Sequence, residues 1–137
     1  LDNSIVDGAV ISLANALKVN RSIEDFDLSD NQIKFAGLCA LGDVLKLNPC
    51  IKNFAIQNNQ IGDRGAKVMA QLLRSSDCLR VLDVSFNQIT DDGAIALVQS
   101  LEVNAKIQKI DLFYSFLSEK TQTQVQIIDK RKVITFQ

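Results

Sequence analysis

The sequence contains no histidine and no tryptophan, one proline, one tyrosine and only three cysteines in 137 residues. The missing histidine removes the commonest metal ligand and the commonest general base at neutral pH. Cys39, Cys50 and Cys78 stand apart from one another with no CxxC pair, so they do not form a zinc site. A small secreted disulfide scaffold would carry more cysteines, in an even number. The expected setting is therefore reducing and cytoplasmic, with the thiols acting as small buried apolar side chains. Neither sign of charge is in excess: 15 basic against 16 acidic residues leave a net charge of −1. That balance argues against a partner of nucleic acid or an anionic membrane surface. Long apolar runs are absent as well. The longest amphipathic stretch, Ala9 to Leu17, is broken by Ser12 and Asn15. A membrane helix needs about 20 apolar residues, so no membrane insertion is expected. There is no signal-peptide layout, no GxSxG and no phosphate-binding glycine loop, and neither catalysis nor a cofactor or metal is expected.

What remains is the composition of one soluble domain, residues 1–137, with 47% hydrophobic residues. A chain of this length buries roughly 65–70% of its unfolded surface without staples. The opening residue is Leu1 rather than methionine, so a processed or excised piece of a larger protein is expected.

The chain repeats itself. Ile23-Glu24-Asp25-Phe26-Asp27-Leu28-Ser29-Asp30-Asn31-Gln32-Ile33 aligns without a gap on two later segments, 51–61 and 79–89. Those segments read Ile51-Lys52-Asn53-Phe54-Ala55-Ile56-Gln57-Asn58-Asn59-Gln60-Ile61 and Leu79-Arg80-Val81-Leu82-Asp83-Val84-Ser85-Phe86-Asn87-Gln88-Ile89. Their starts are 28 residues apart, and a fourth copy opens at Ile107 after the same interval. Gly37, Gly65 and Gly93 follow four residues after each isoleucine, and then apolar residues recur at helical spacing. Each unit therefore reads as a short strand, a loop and a helix. Asp63 and Asp91 stand where a helix N-cap belongs, and Phe35 replaces that aspartate in the first full unit. Asn20, Asn48 and Asn104, with Ser76 in the equivalent slot, are expected to close the helices in the left-handed conformation.

This pattern resembles the leucine-rich repeat family, and its Asn-x-Ile-x-x-x-Gly stretch is most similar to the ribonuclease-inhibitor-like subfamily. The resemblance covers residues 1 to about 117 and rests on Asn31, Asn59 and Asn87 with their flanking apolar positions. It implies an α/β fold, a leucine-rich-repeat solenoid: a curved right-handed superhelix with parallel strands on the concave face and helices on the convex face. A partial repeat 1–22 precedes full repeats 23–50, 51–78 and 79–106, and 107–137 form a C-terminal capping unit. In that unit Ser115 replaces the asparagine and Thr121 the glycine. Its helix should start at Ser118 and run to a basic end at Lys130, Arg131 and Lys132, where positive charge suits the helix dipole. A final strand is expected over 133–136, two residues early for the repeat. No N-terminal cap is legible, because Leu1 falls in mid-unit; an open edge or absent preceding residues are the two expectations.

Side chains alternate along each strand, so Phe26 and Leu28, and their equivalents, point into the core. Asn3, Asn31, Asn59 and Asn87 are expected to form a structural ladder that satisfies backbone groups where the chain turns inward. Cys50 and Cys78 share one slot in successive units, which makes a disulfide conceivable and two buried thiols the preferred reading.

The other strand face is where a partner would bind. It presents Asp27, Gln57, Asp83, Ser85, Asp111 and Phe113, with Asp25, Asn53 and Lys109 beside them. Asp27, Asp83 and Asp111 share a column interrupted by Ala55. Residues two units apart are about 10 Å from each other, too far for joint coordination of a metal, so a solvated face or an acidic stripe for a basic partner are the alternatives. The neighbouring column runs Asp30, Asn58, Phe86, Tyr114 and turns from polar to aromatic. Phe86, Phe113 and Tyr114 either anchor a protein partner or pack on one another. Phe35 is a lesser candidate. The expected function is a non-catalytic scaffold for another protein. The resemblance also implies two alternatives, a GTPase-activating regulator and a tropomodulin-like actin-capping regulator.

Overall fold

The computed structural model describes residues 4–136 of the chain. Leu1 and the first expected ladder residue, Asn3, lie outside the described residues. Helices and strands alternate: α1 (Asp7–Leu17), β1 (Asp25–Asp27), α2 (Phe35–Leu47), β2 (Asn53–Ala55), α3 (Gly62–Ser75), β3 (Val81–Asp83), α4 (Asp91–Ser100), β4 (Lys109–Asp111), α5 (Glu119–Ile128) and β5 (Ile134–Thr135). The strands form one parallel sheet in chain order, β1-β2-β3-β4-β5. Each strand thus pairs only with the repeats beside it, and the fold is the expected α/β leucine-rich-repeat solenoid.

Register follows the sequence repeat. Phe26 pairs with Phe54, Phe54 with Leu82 and Leu82 with Ile110. Phe54, Leu82 and Ile110 are essentially fully buried, and the Phe26 ring stacks on Phe54 with centroids 5.7 Å apart. The helices close the other side of the core through residues such as Leu38, Leu41, Met69, Leu73, Leu97 and Val98. The last pairing joins Ile110 to Ile134. That corrects the expected shortening of the final unit: its strand arrives four residues early instead of two. The chain turns back at once after α5, where the Asp129 carboxylate accepts from the backbone N–H groups of Val133 at 3.0 Å and Ile134 at 2.7 Å.

The asparagines form a ladder between repeats. Asn31 Oδ1 accepts from Ile5 N at 2.9 Å, and Asn59 Oδ1 accepts from Ile33 N at 2.9 Å. Asn87 Oδ1 accepts from Asn59 N at 3.1 Å. Their amide groups donate to carbonyls of their own strand end and, for Asn59 and Asn87, of the preceding repeat.

A second ladder departs from expectation. Asn48 and Asn104 are not left-handed; Asn48 has φ −74 and ψ 119. Their side chains close the helix ends instead. Asn48 Nδ2 donates to Leu17 O and Asn20 O of the preceding repeat, and Asn104 Nδ2 to Leu73 O and Ser76 O. One amide so satisfies the open carbonyls at the end of a neighbouring helix. In the last unit two residues share this role. Asp129 accepts, while the Arg131 guanidinium donates to the carbonyls of Asn104, Ala105 and Ile107. The basic run therefore lies past the end of α5, and its Arg131 serves the previous repeat, which corrects its assignment as that helix's own basic terminus.

The aspartate positions are also corrected. Asp63 and Asp91 lie inside the first turn of their own helices and cap the following ones. Asp63 Oδ1 accepts from Thr90 N at 2.7 Å and Gly93 N at 3.1 Å, at the start of α4. Asp91 Oδ1 accepts from Ser118 N at 2.8 Å at the start of α5, and Asp7 Oδ1 accepts from Lys34 N at 2.8 Å at the start of α2. The hydrogen bonds from Ser118 hold the Asp91 carboxyl below its ordinary range. Ser118 caps α5 as expected, accepting from Thr121 N. Since a cap is worth about 1 kcal/mol, Asp63→Ala should lower the stability from urea unfolding by that amount with an unchanged m-value. A midpoint equal to wild type would remove Asp63 from the cap.

Phe35 interrupts this series, and the loop after β2 responds. With no carboxylate to hold it, Gly62 turns to φ +58 and donates to Asn87 O at 3.1 Å. The Arg64 guanidinium covers the Phe35 ring at 4.0 Å. The three thiols are free and half-buried, not fully buried as expected; Cys39 lies within α2, and Cys50 and Cys78 close their repeats just ahead of the strands. Cys50 Sγ approaches Arg21 O at 3.0 Å.

Candidate functional site

The outward strand face is built by alternation: Phe54, Leu82 and Ile110 face the core, so their neighbours face out. Asp27, Asp83 and Asp111 end their strands on this face. Each carboxylate accepts from the backbone N–H two residues on, Ser29 at 2.8 Å, Ser85 at 3.0 Å and Phe113 at 3.0 Å. These are the local bonds by which aspartate closes a turn, so one oxygen of each is already engaged. Asp83 and Asp111 are register partners, and Lys109 Nζ lies 3.1 Å from Asp111 Oδ2. Among the described residues no group of three or more metal-ligand side chains converges.

Ser85 does not stand on the free surface. It is 3% exposed, and its hydroxyl donates to Asp83 Oδ1 at 2.6 Å. Its expected place among the partner contacts is therefore corrected: the turn folds it under the aspartate it supports. Gln57 is half-buried beside it.

One step further along the chain, the four equivalent residues Asp30, Asn58, Phe86 and Tyr114 all hold left-handed backbone, with φ of 57, 51, 54 and 55. Aspartate and asparagine tolerate this conformation; bulky aromatics rarely adopt it. Phe86 and Tyr114 are thus placed against local preference, and their rings are carried outward from the loop edge. The Phe86 and Tyr114 rings stack with centroids 4.2 Å apart. Phe113 meets Tyr114 edge-on at 4.6 Å and Phe86 at 6.2 Å. The sequence left two readings open, mutual packing and partner contact; the rings do pack on one another. The rings touch one another, yet Phe86 remains 44%, Phe113 37% and Tyr114 61% exposed.

A groove of about 550 Å³ runs beside Phe86 along the loop edge, walled by Asp30, Asn58, Gln60 and Gln88. Phe116, on the same loop, is 71% exposed and was missed by sequence reasoning. The signal was present: Phe116 fills the slot that Gln32, Gln60 and Gln88 hold in earlier repeats. Phe35 is not part of this cluster; Arg64 covers it.

Parallel strands in chain order, helices capped across repeats and an asparagine ladder define a repeat solenoid. The sequence profile described as "Leucine Rich repeat" matches residues 19–42, 47–70 and 75–98, more than half of the chain. The chain belongs to the leucine-rich repeat family. No curated protein matches it in sequence. Among solved structures, leiomodin-1 actin-binding site 2 superimposes with a TM-score of 0.77 at 16% identity, covering 93% of this chain and 77% of that one. The tropomodulin C-terminal domain from Caenorhabditis elegans gives a TM-score of 0.76 at 18% identity, covering 93% and 80% respectively. At such identities the likeness is one of fold.

Proposed function

We propose that the chain is a non-catalytic scaffold that binds a protein partner at the aromatic cluster of Phe86, Phe113 and Tyr114, beside Asp83 and Asp111. The observation that carries this reading is two exposed aromatic residues held in left-handed backbone, where the equivalent Asp30 and Asn58 are of tolerated types. A position that breaks a local rule without gaining burial is a candidate for function. Exposed aromatic anchors supply most of the energy of many protein contacts. The acidic strand ends Asp27, Asp83 and Asp111 suit a partner segment that carries a cation, which stacks on aromatic faces and pairs with carboxylate.

Phe86→Asn separates function from folding. Asparagine accepts the left-handed backbone, so relief of strain offsets the lost ring contacts and stability should stay within about 1 kcal/mol. Partner recovery in affinity capture should fall at least tenfold, as for removal of an anchor worth about 2 kcal/mol. Undiminished recovery with Phe86→Asn and with Tyr114→Ala would exclude the patch.

A second reading is favoured by the fold likeness to leiomodin-1 actin-binding site 2 and the tropomodulin domain: the partner is actin. Sedimentation of the chain with actin, monomeric and filamentous, tests it directly. Binding weakened by Phe86→Asn supports actin as the occupant of the patch, and absence of binding to either form removes actin alone.

A further inference from the structure

A net charge of −1 conceals a strong segregation. Because all strands run parallel, every helix starts at one edge of the solenoid and ends at the other. The edge where helices begin carries Asp7, Asp63, Asp91 and Asp92, together with the strand-end aspartates. The opposite edge is basic. Lys18, Lys46 and Arg74 occupy one slot in successive repeats, at the ends of α1, α2 and α3, and all are exposed. Among the described residues none of them makes an ion pair.

The next slot along is aliphatic. Val19 is 80%, Leu47 79% and Val103 62% exposed, with Ser75 between them. Ile127, 65% exposed, adds a fourth apolar tip at the end of α5. Bases and tips are interleaved by clefts between successive helix ends. Lys18, Arg21 and Leu47 line one of about 280 Å³, Lys46 and Arg74 line the next, of about 340 Å³, and a single carboxylate, Asp43, borders both. Ile127, Lys130 and Arg131 line a third, of about 530 Å³; Glu102, which takes the basic slot in the fourth repeat, stands there too.

Helix dipoles account for bases at helix C-termini. They leave the aliphatic tips unexplained, since such side chains gain nothing from facing water. We propose that this edge docks the chain on an anionic phospholipid bilayer, with the basic column at the headgroup phosphates and the aliphatic column in the interface. Lys and Arg near an anionic leaflet attract it additively, and apolar side chains dip into the headgroup and acyl boundary. The arrangement favours a bilayer over the two other polyvalent partners. On a nucleic-acid duplex the exposed aliphatic tips would have no counterpart, because phosphate contacts need only the bases. Repeats place neighbouring tips about 10 Å apart, and about 20 Å where Ser75 intervenes, with charge between them, whereas a folded protein interface gathers its apolar residues at one desolvated centre. The near-neutral charge that argued against an anionic surface is thus an average over two opposed edges.

Flotation of the full chain with vesicles tests this. Partition onto phosphatidylcholine vesicles containing phosphatidylserine should exceed that onto pure phosphatidylcholine by at least tenfold and should fall as salt is raised. Combined reversal of Lys18, Lys46 and Arg74 to glutamate should lower it by about a hundredfold. Val19→Ser with Leu47→Ser should lower it by about tenfold, through lost apolar contact. All of these side chains are exposed, so circular dichroism should show folded variants, with the serine pair melting like wild type and the glutamate reversals melting a few degrees lower through the lost helix-dipole contacts. Phe86→Asn should float like wild type, which keeps this surface distinguishable from the aromatic patch. Equal partition onto both kinds of vesicle, or flotation unaffected by the basic reversals, would overturn the proposal. So would loss of flotation with Phe86→Asn alone.

Discussion

Asn59→Leu should unfold at a much lower urea concentration than wild type, with a stability loss of about 3 kcal/mol and a melting temperature lower by about 10 °C. The substitution keeps the branched shape and adds bulk, so the effect is not a cavity. Asn59 is 4% exposed and joins two repeats. Its Oδ1 accepts from Ile33 N at 2.9 Å, and its Nδ2 donates to Leu28 O at 3.0 Å, Ile56 O at 3.1 Å and Gln57 O at 3.1 Å. Leucine leaves all of these buried backbone groups without that partner, and an unmet buried donor or acceptor costs about 1–3 kcal/mol. Two of them, Ile33 N and Leu28 O, belong to the preceding repeat, so the damage spreads along the stack. Asn53→Ala, on the exposed strand face, should stay within about 0.5 kcal/mol and serves as the control. Equal urea midpoints for the two variants would refute the ladder.

The second large effect concerns a position where every substitution must add an atom. A methyl group on Gly93 would stand 2.5 Å from Asp63 Oδ1, 2.9 Å from Ala66 Cβ and 2.9 Å from Ile89 Cγ2. Two of these are short, stiff groups, and the third is the carboxylate that caps α4. Gly93→Ala should therefore cost about 2–3 kcal/mol in urea unfolding, even though alanine in a helix gains about 1 kcal/mol over glycine. Gly42 gives the opposite sign. Its nearest neighbour would be Val68 Cγ1 at 3.1 Å, the end of a half-buried side chain that can shift. Gly42→Ala should be neutral or stabilising by up to about 1 kcal/mol, as helix propensity then decides. A larger loss for Gly42→Ala than for Gly93→Ala would show that the repeats do not approach as described.

The contrast explains how much of the fold was legible. A 28-residue period carries strand, loop and helix together, and an error at one position is corrected by its three equivalents. Alternation of the large apolar Phe54 and Ile56 with Asn53, Ala55 and Gln57 assigned the core face without coordinates. What the period could not convey was direction between repeats. Asp63 reads as a cap for the helix it opens, and it caps the helix after it. Asn48 reads as a left-handed terminator, and it instead bonds the end of the preceding helix with extended backbone. In each case the residue type announced its chemistry, and the partner lay 27 to 31 positions away, where no local rule reaches.

The candidate surface divides in the same way. The aromatic column of Phe86 and Tyr114 was visible because it broke a polar series, and Phe116 could have been found by the same comparison. Ser85 was misplaced because alternation assigns a face and says nothing about a turn that folds a hydroxyl under its neighbour. By itself the sequence determined the repeat, its period, the core face of the first four strands and the residue types of both ladders, since periodic burial writes itself into composition at fixed intervals. Only the tertiary structure decided which repeat each polar side chain serves, which rings stay exposed while touching and where opposite charges collect. Those depend on the stacking of units in space, and stacking brings together groups that the chain keeps a full repeat apart.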